Sequence, residues 1–228
     1  MANTVRLGVF ASGGGTNFQS IIDNCEAGRI DATVEVLITN REDAGSLDRA
    51  ATHGIESHVV AVGKDLSDEF HAADERHLQI LRDSGVDLVC LAGYMRRIGT
   101  GVLAAFPHAV LNIHPAILPS FKGAHGQRDA AEYGARISGA TVHFADEEFD
   151  RGPIIIQAAV PVIPGDTEDT LAERILEQEH RIYPQAIQWF AEDRLRIEGR
   201  SVLLEPPSRG SYDDQGPGVI ISPPLELE

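Results

Sequence analysis

Asn112 and His114 stand two residues apart at the end of the apolar run Ala109-Val110-Leu111. Such a run reads as a buried strand, and in an extended chain residues i and i+2 point to the same face. A carboxamide N–H donates to a carbonyl oxygen; an imidazolium also donates, and it can release its proton. Together they make an electrophilic pair for a carbonyl whose oxygen gains negative charge. From this stretch alone, a capped strand end with a satisfied histidine is the plainer alternative. Pro115 and Pro119 stop the strand and stiffen the segment after it. Further on, Asp150 sits in the acidic loop Asp146-Glu147-Glu148-Phe149-Asp150-Arg151-Gly152. Histidine with carboxylate suggests a held imidazolium or a proton relay; a solvated acidic loop is the alternative.

A second chemical stretch lies near the N-terminus. The apolar strand Val5 to Ala11 runs into Ser12-Gly13-Gly14-Gly15-Thr16-Asn17, and a helical pattern follows at Phe18, Ile21, Ile22 and Cys25. Strand, glycine turn and helix form an anion cradle, because glycine lets backbone N–H groups approach a phosphate at a helix N-terminus. Thr16 or Asn17 is expected to cap that helix. The spacing is not G-x-G-x-x-G, and the next strand, Thr33 to Thr39, ends in Asn40 rather than an acidic ribose reader, which disfavours NAD. No G-K-[ST] occurs, so a Walker loop is excluded; tight turns also need glycine for their own sake.

The elements that must position these residues alternate. Helical patterns at Ala44 to His53 and Leu66 to Ser84 separate short strands at Ser57 to Ala61 and Asp87 to Ala92. This alternation predicts an α/β fold: a mostly parallel twisted sheet with helices on both faces and right-handed crossovers. Ligands of such sheets gather at the carboxyl ends of the strands. There the glycine turn, Gly93-Tyr94-Met95-Arg96-Arg97 and Asn112 with His114 are expected to meet. A loop from Ser120 to Gly126 and a helix from Gln127 to about Tyr133 come next, then antiparallel additions at Ser138 to Ala145 and Pro153 to Val162. Thr167 caps a long helix, Leu171 to Phe190, expected to bend or break at Tyr183-Pro184. A hairpin comes after it, over Arg194 to Ile197 and Ser201 to Leu204. Residues 1–205 are expected to form one domain, and 206–228, rich in Pro, Gly, Ser and Asp, an irregular tail.

Composition narrows the function. The 228 residues hold 35 acidic against 19 basic side chains, a net charge of -16, which argues against nucleic acid or anionic membrane as partner. Cys25 and Cys90 form no CxxC pattern, and His114, His125 and His143 have no zinc spacing, so no metal is expected. Cys90 is mid-strand, and no G-x-S-x-G marks a serine nucleophile. With no signal peptide and no apolar run of about 20 residues, a cytoplasmic setting is the default expectation. Monomer and homodimer both remain open. The residues alone support an α/β enzyme that holds a phosphorylated small molecule and acts on a carbonyl.

Several motifs carry a closer likeness. From about Val5 to Ile197 the chain resembles the folate-dependent phosphoribosylglycinamide formyltransferases. The motifs are Ser12-Gly13-Gly14-Gly15-Thr16-Asn17, Leu91-Ala92-Gly93-Tyr94-Met95-Arg96, Leu111-Asn112-Ile113-His114-Pro115 with Leu118-Pro119, Thr141-Val142-His143-Phe144, Asp150-Arg151-Gly152-Pro153-Ile154 and Gln178-Glu179-His180-Arg181-Ile182-Tyr183-Pro184. The resemblance implies a Rossmann-like formyltransferase fold and transfer of formyl from 10-formyltetrahydrofolate to the amine of glycinamide ribonucleotide, in purine biosynthesis. It implies that Asn112 and His114 stabilise the formyl oxyanion, with Asp150 keeping His114 protonated and relaying the proton. Gly15, Thr16, Asn17 and Glu179 would bind the substrate; Met95, Arg96, Arg97, Ile98 and Asn112 would meet the folate. The chain departs from the family pattern at Phe70, where many members carry an arginine for the folate tail, and at Leu176, where Gln or Lys is usual. The sister formyltetrahydrofolate hydrolases share the triad but usually carry an N-terminal regulatory domain, and methionyl-tRNA formyltransferases usually carry a basic C-terminal RNA-binding domain. Neither feature is expected here. A phosphate-binding module without catalysis would need only the glycine turn.

Overall fold

The structure, a computed structural model, describes residues 4–210 and 218–227. The fold is α/β with mostly parallel strand pairs, as the alternation predicts. The chain divides into two compact units: Met1–Asn112 with Ala145–Glu147, and Ile113–Phe144 with Glu148–Glu228.

In the first unit, strands β1 (Val5–Phe10), β2 (Ala32–Thr39), β3 (Glu56–Val59), β4 (Leu88–Leu91) and the start of β5 (Val110–His114) stand in the order β3-β2-β1-β4-β5, every neighbouring pair parallel. Four helices connect them: α1 (Thr16–Glu26), α2 (Ser46–Thr52), α3 (Asp68–Asp83) and α4 (Thr100–Ala105). Strand order reverses between β1 and β4, which makes their carboxyl ends the expected ligand crevice. Leu7, Val9 and Phe10 of β1, Leu37 and Ile38 of β2 and all of β4 are buried. Such two-sided burial is what continuous apolar strands require. Helix α1 buries Phe18, Ile21 and Ile22. Its N-cap is Gly15 at φ 70, with no side-chain cap, in place of the expected Thr16 or Asn17. Helix α4 has no sequence signature of its own. Its cap arrives from α3, where the Asp74 carboxylate accepts the N–H of Gly101 at 2.8 Å and of Val102 at 3.3 Å. A Cβ on Gly99 would lie 2.1 Å from the Asp74 carboxyl carbon, so glycine is required there.

The second unit begins as β5 ends. It contains α5 (Gly126–Tyr133), β6 (Ile137–Phe144), β7 (Ile154–Pro161), α6 (Glu168–Ala191), the antiparallel hairpin β8 (Leu195–Glu198) and β9 (Ser201–Leu204), and β10 (Ile220–Ser222). Strands β6 and β7 are antiparallel, and β9 joins β7 in parallel at Ile154. Helix α6 is capped by Thr167, whose side chain accepts the Thr170 N–H. It continues through Pro184 for 24 residues rather than breaking there. An interior proline costs about 3 kcal/mol, and burial of every residue from Ile182 to Trp189 offsets it.

Of the tail expected to be irregular, 211–217 and 228 lie outside the described residues; within 218–227 a short strand forms. Strand β10 pairs antiparallel with β7 at Gln157–Ala159, burying Ile221. The Glu226 carboxylate then accepts from Trp189 Nε1 at 3.0 Å, Arg194 Nη1 at 2.6 Å and the Arg209 N–H at 2.7 Å. These partners are scattered along the chain, so local composition does not reveal them. Among the described residues no helix is long and apolar enough to cross a membrane.

Candidate active site

In the first unit, the glycine turn leaves Gly13, Gly14 and Thr16 exposed, while Asn17 is buried. Ser12 fastens the turn. Its hydroxyl donates to Asn40 Oδ1 at 2.6 Å and accepts the Met95 N–H at 2.8 Å, while its own N–H donates to the Gly93 carbonyl at 3.1 Å. Three strand ends, β1, β2 and β4, are thereby held together. Sequence reasoning missed this role of Ser12 and Asn40; a small hydroxyl between an apolar strand and a glycine run was the available signal.

The Gly93 to Ile98 segment grades from solvent to core. Met95 and Arg96 are exposed, Arg97 is half-buried and Ile98 is buried. Arg97 donates to the Glu147 carbonyl at 3.1 Å and stands 3.9 Å from Asp65, tying this segment to the acidic loop. Beneath it, the rings of Phe10, His77 and Tyr94 meet edge to face, with Phe10 5.1 Å from each partner. Burial pushes His77 down to about 4, partly opposed by the Asp74 charge, and burial raises the Tyr94 phenol well above its usual range. Phe70 is buried, 5% exposed, with its N–H capped by Ser67. It is a core residue of α3.

Asn112 closes the first unit on β5, in register with Leu91 of β4. The second unit opens at Ile113, and His114 follows it as the last residue of β5.

In the second unit, His114 and Asp150 come together. His114 Nδ1 lies 3.5 Å from Asp150 Oδ2, with both side chains at least 95% buried. His114 Nε2 meets the Phe121 carbonyl at 2.9 Å. A carbonyl only accepts, so Nε2 carries the proton. Asp150 Oδ2 also accepts the Gly123 N–H at 2.9 Å. The loop after Pro119 thus serves both members of the pair through its backbone. On the other side of Asp150, His143 Nε2 stands 3.8 Å from Oδ1, with its Nδ1 donating to the Phe144 carbonyl at 2.9 Å. Thr141 Oγ1 donates to the Ala116 carbonyl and accepts the Leu118 N–H, which fixes the chain leaving His114.

Backbone strain marks the same place. Asp150 has φ 53 and Phe121 φ 49, a left-handed conformation that costs a non-glycine residue about 1–2 kcal/mol. Gly152 explains the Asp-x-Gly spacing: a Cβ there would stand 1.7 Å from the Phe144 carbonyl oxygen. Only glycine lets the chain pass β6 closely enough to set Asp150 beside His143. Glu179 is buried on α6, and the adjacent Gln178 accepts from Arg181 at 2.9 Å.

The formyl transferase family pattern matches residues 5–187, which spans both units. The chain belongs to the formyl transferase family. Phosphoribosylglycinamide formyltransferase of Escherichia coli is 39% identical over 197 residues, covering 86% of this chain and 92% of that one. The chloroplastic enzyme of Arabidopsis thaliana is 41% identical over 204 residues, covering 87% and 70%. Among solved structures, glycinamide ribonucleotide transformylase 1 from Symbiobacterium toebii superposes with a TM-score of 0.85 at 49% identity, covering 90% of this chain and 95% of that one. The chain is therefore an enzyme of the formyl transferase family, with the Rossmann-like fold of its relatives.

Three neighbours of the His114–Asp150 pair escape sequence reasoning: the Phe121 carbonyl, the Gly123 N–H and His143. The first two are backbone groups, so their residue types announce nothing. His143 lies inside a shared motif, but sequence reasoning weighed it only as a metal ligand and set that aside. Among the described residues, no cluster of three or more His, Cys, Asp or Glu side chains is placed to hold a metal.

Proposed function

We propose that this enzyme transfers the formyl group of 10-formyltetrahydrofolate to the amine of glycinamide ribonucleotide, in purine biosynthesis. The observation that carries the reading is the buried His114–Asp150 contact of 3.5 Å, two residues beyond Asn112 on one strand. As the amine adds to the formyl carbon, negative charge grows on the formyl oxygen. Asn112 donates its amide N–H to that oxygen, and the His114 imidazolium donates beside it. The Asp150 carboxylate accompanies the imidazolium and takes part, through water, in moving the amine proton to the departing folate nitrogen. His114 Nε2–H donates a hydrogen bond to the Phe121 carbonyl. Catalytic hydrogen bonds often tighten or re-form only once substrate is bound.

Gly15, Thr16 and Asn17 hold the substrate phosphate through backbone N–H groups at the N-terminus of α1. Glu179 accepts hydrogen bonds from the ribose or glycinamide end. Met95, Arg96, Arg97 and Ile98 with Asn112 line the folate side; Arg96 suits the glutamate tail, since it is exposed, while Arg97 is engaged by Glu147. The experiment mixes purified enzyme, glycinamide ribonucleotide and a formylated folate or its deaza analogue, and tracks the deformylated product by absorbance. Product release that requires the amine is expected. Release at the same rate without the amine would mean hydrolysis instead, and no release in either case would refute the assignment.

A further inference from the structure

We infer that Arg49, on α2, is a positioning residue that sets the affinity of the glycine turn for a phosphomonoester. The inference rests on the proposed function in taking Gly15, Thr16 and Asn17 as the phosphate site. In a trans peptide the carbonyl of one residue and the N–H of the next point in opposite directions. Whatever holds the carbonyls of the turn therefore aims its N–H groups. The carbonyl of Gly13 is held by the Ser46 N–H at 3.1 Å, and that of Gly14 by Arg49 Nε at 2.7 Å. The Gly14 and Gly15 N–H groups accordingly face away from α2. The Gly15 carbonyl is taken by the Gln19 N–H as the first bond of α1, at 2.9 Å.

Arg49 is itself fixed. Its Nη1 donates to Gln19 Oε1 at 3.1 Å, and Gln19 Nε2 donates in turn to Asp23 at 2.8 Å. The approach of α2 is close: a Cβ on Gly15 would stand 2.8 Å from Ser46 Cβ and 3.4 Å from Arg49 Cδ. The guanidinium thus lies one peptide unit behind the N–H groups that face the anion. There its charge attracts the phosphate while its Nε–H orients the turn. In a chain of net charge -16, a local cation behind the cradle gives a dianionic group a reason to settle there.

The test compares wild type, Arg49→Met, Arg49→Lys and Arg82→Met as a charge-matched control. It measures kcat and KM for both substrates, and binding of inorganic phosphate by calorimetry. Arg49→Met should raise KM for glycinamide ribonucleotide and Kd for phosphate together by about tenfold or more, the scale of one charge-assisted hydrogen bond. Any change in kcat should stay within about threefold, and KM for the formyl donor should not move. Arg49→Lys, which keeps the charge and loses the planar Nε–H, should recover part of the loss; Arg82→Met should match wild type. Unchanged phosphate binding in folded Arg49→Met would overturn the inference, as would a fall in kcat with both KM values altered. If Arg49→Met does not fold, Arg49→Lys decides alone: wild-type affinity for phosphate refutes the orienting role. If wild type fails to formylate glycinamide ribonucleotide, the proposed function fails, yet phosphate calorimetry still judges Arg49.

Discussion

At the scale of single residues, the proposed mechanism depends on a few polar groups with little redundancy. Asn112→Ala and His114→Ala should each lower kcat by about 10²–10³-fold, the usual loss for one donor to a developing oxyanion. Asp150→Ala should lose most turnover as well. Double variants should fall far short of the product of the single losses, since the groups act as a unit. Steady-state kinetics on variants with unchanged circular dichroism checks this, and near-wild-type transfer by His114→Ala would refute the mechanism. His77 gives a separate, pH-dependent outcome. Its folded value, about 4, lies below the ordinary 6.5, with burial the main cause and Asp74 opposing. Between pH 6.5 and about 4 the unfolded chain binds a proton that the folded chain does not, so stability falls as pH falls through that window. The loss amounts to roughly 3 kcal/mol once the pH is below the window. His77→Phe, which keeps an aromatic ring beside Phe10 and Tyr94, should flatten the pH dependence of Tm between those limits. An unchanged slope would assign it to other groups.

At the scale of elements, the protein borrows caps and edges from distant parts of the chain. Helix α4 exists because Asp74 of α3 receives its first N–H groups. The edge of β7 at Gln157–Ala159 is covered because β10 returns to it. Arg194, foremost among its partners, holds the Glu226 carboxyl down at about 2. That contribution is present above about pH 4.5 and is lost as pH falls toward 2. Deleting residues 218–228 removes the burial of Ile221, leaves the Trp189 indole N–H without Glu226 and uncovers three residues of strand edge. Calorimetry on the truncated chain should show Tm lowered by about 5–15 °C. An unchanged Tm would mean that the returning segment contributes nothing to stability.

At the scale of the whole molecule, net charge works against the chemistry. Both proposed substrates are anionic, and the protein carries -16. Long-range repulsion is strongest at low salt, where the Debye length is about 30 Å, and weak near 0.15 M, where it is about 8 Å. Raising NaCl from about 10 to 150 mM should therefore increase kcat/KM for glycinamide ribonucleotide about two- to threefold. A steep decrease would show that the local cations at the cradle, Arg49 first among them, outweigh the overall field.

The sequence by itself determined the alternation of strands and helices, the glycine turn before α1 and the shared face of Asn112 and His114. These are local, periodic properties, fixed by which side chains must leave water and by the two-residue repeat of a strand. The Asp-x-Gly spacing around Asp150 was also legible, though its reason, passage of Gly152 against the Phe144 carbonyl, was not. Only tertiary structure decided that Phe70 is core, that Thr16 and Asn17 leave capping to Gly15, that α6 runs through Pro184 and that 218–227 is ordered against β7 and α6. It alone decided that the Phe121 carbonyl and the Gly123 N–H attend His114 and Asp150. Every residue carries a carbonyl, and every residue but proline an N–H, so these groups write nothing in the sequence. Which of them faces a given side chain is settled only when distant segments pack.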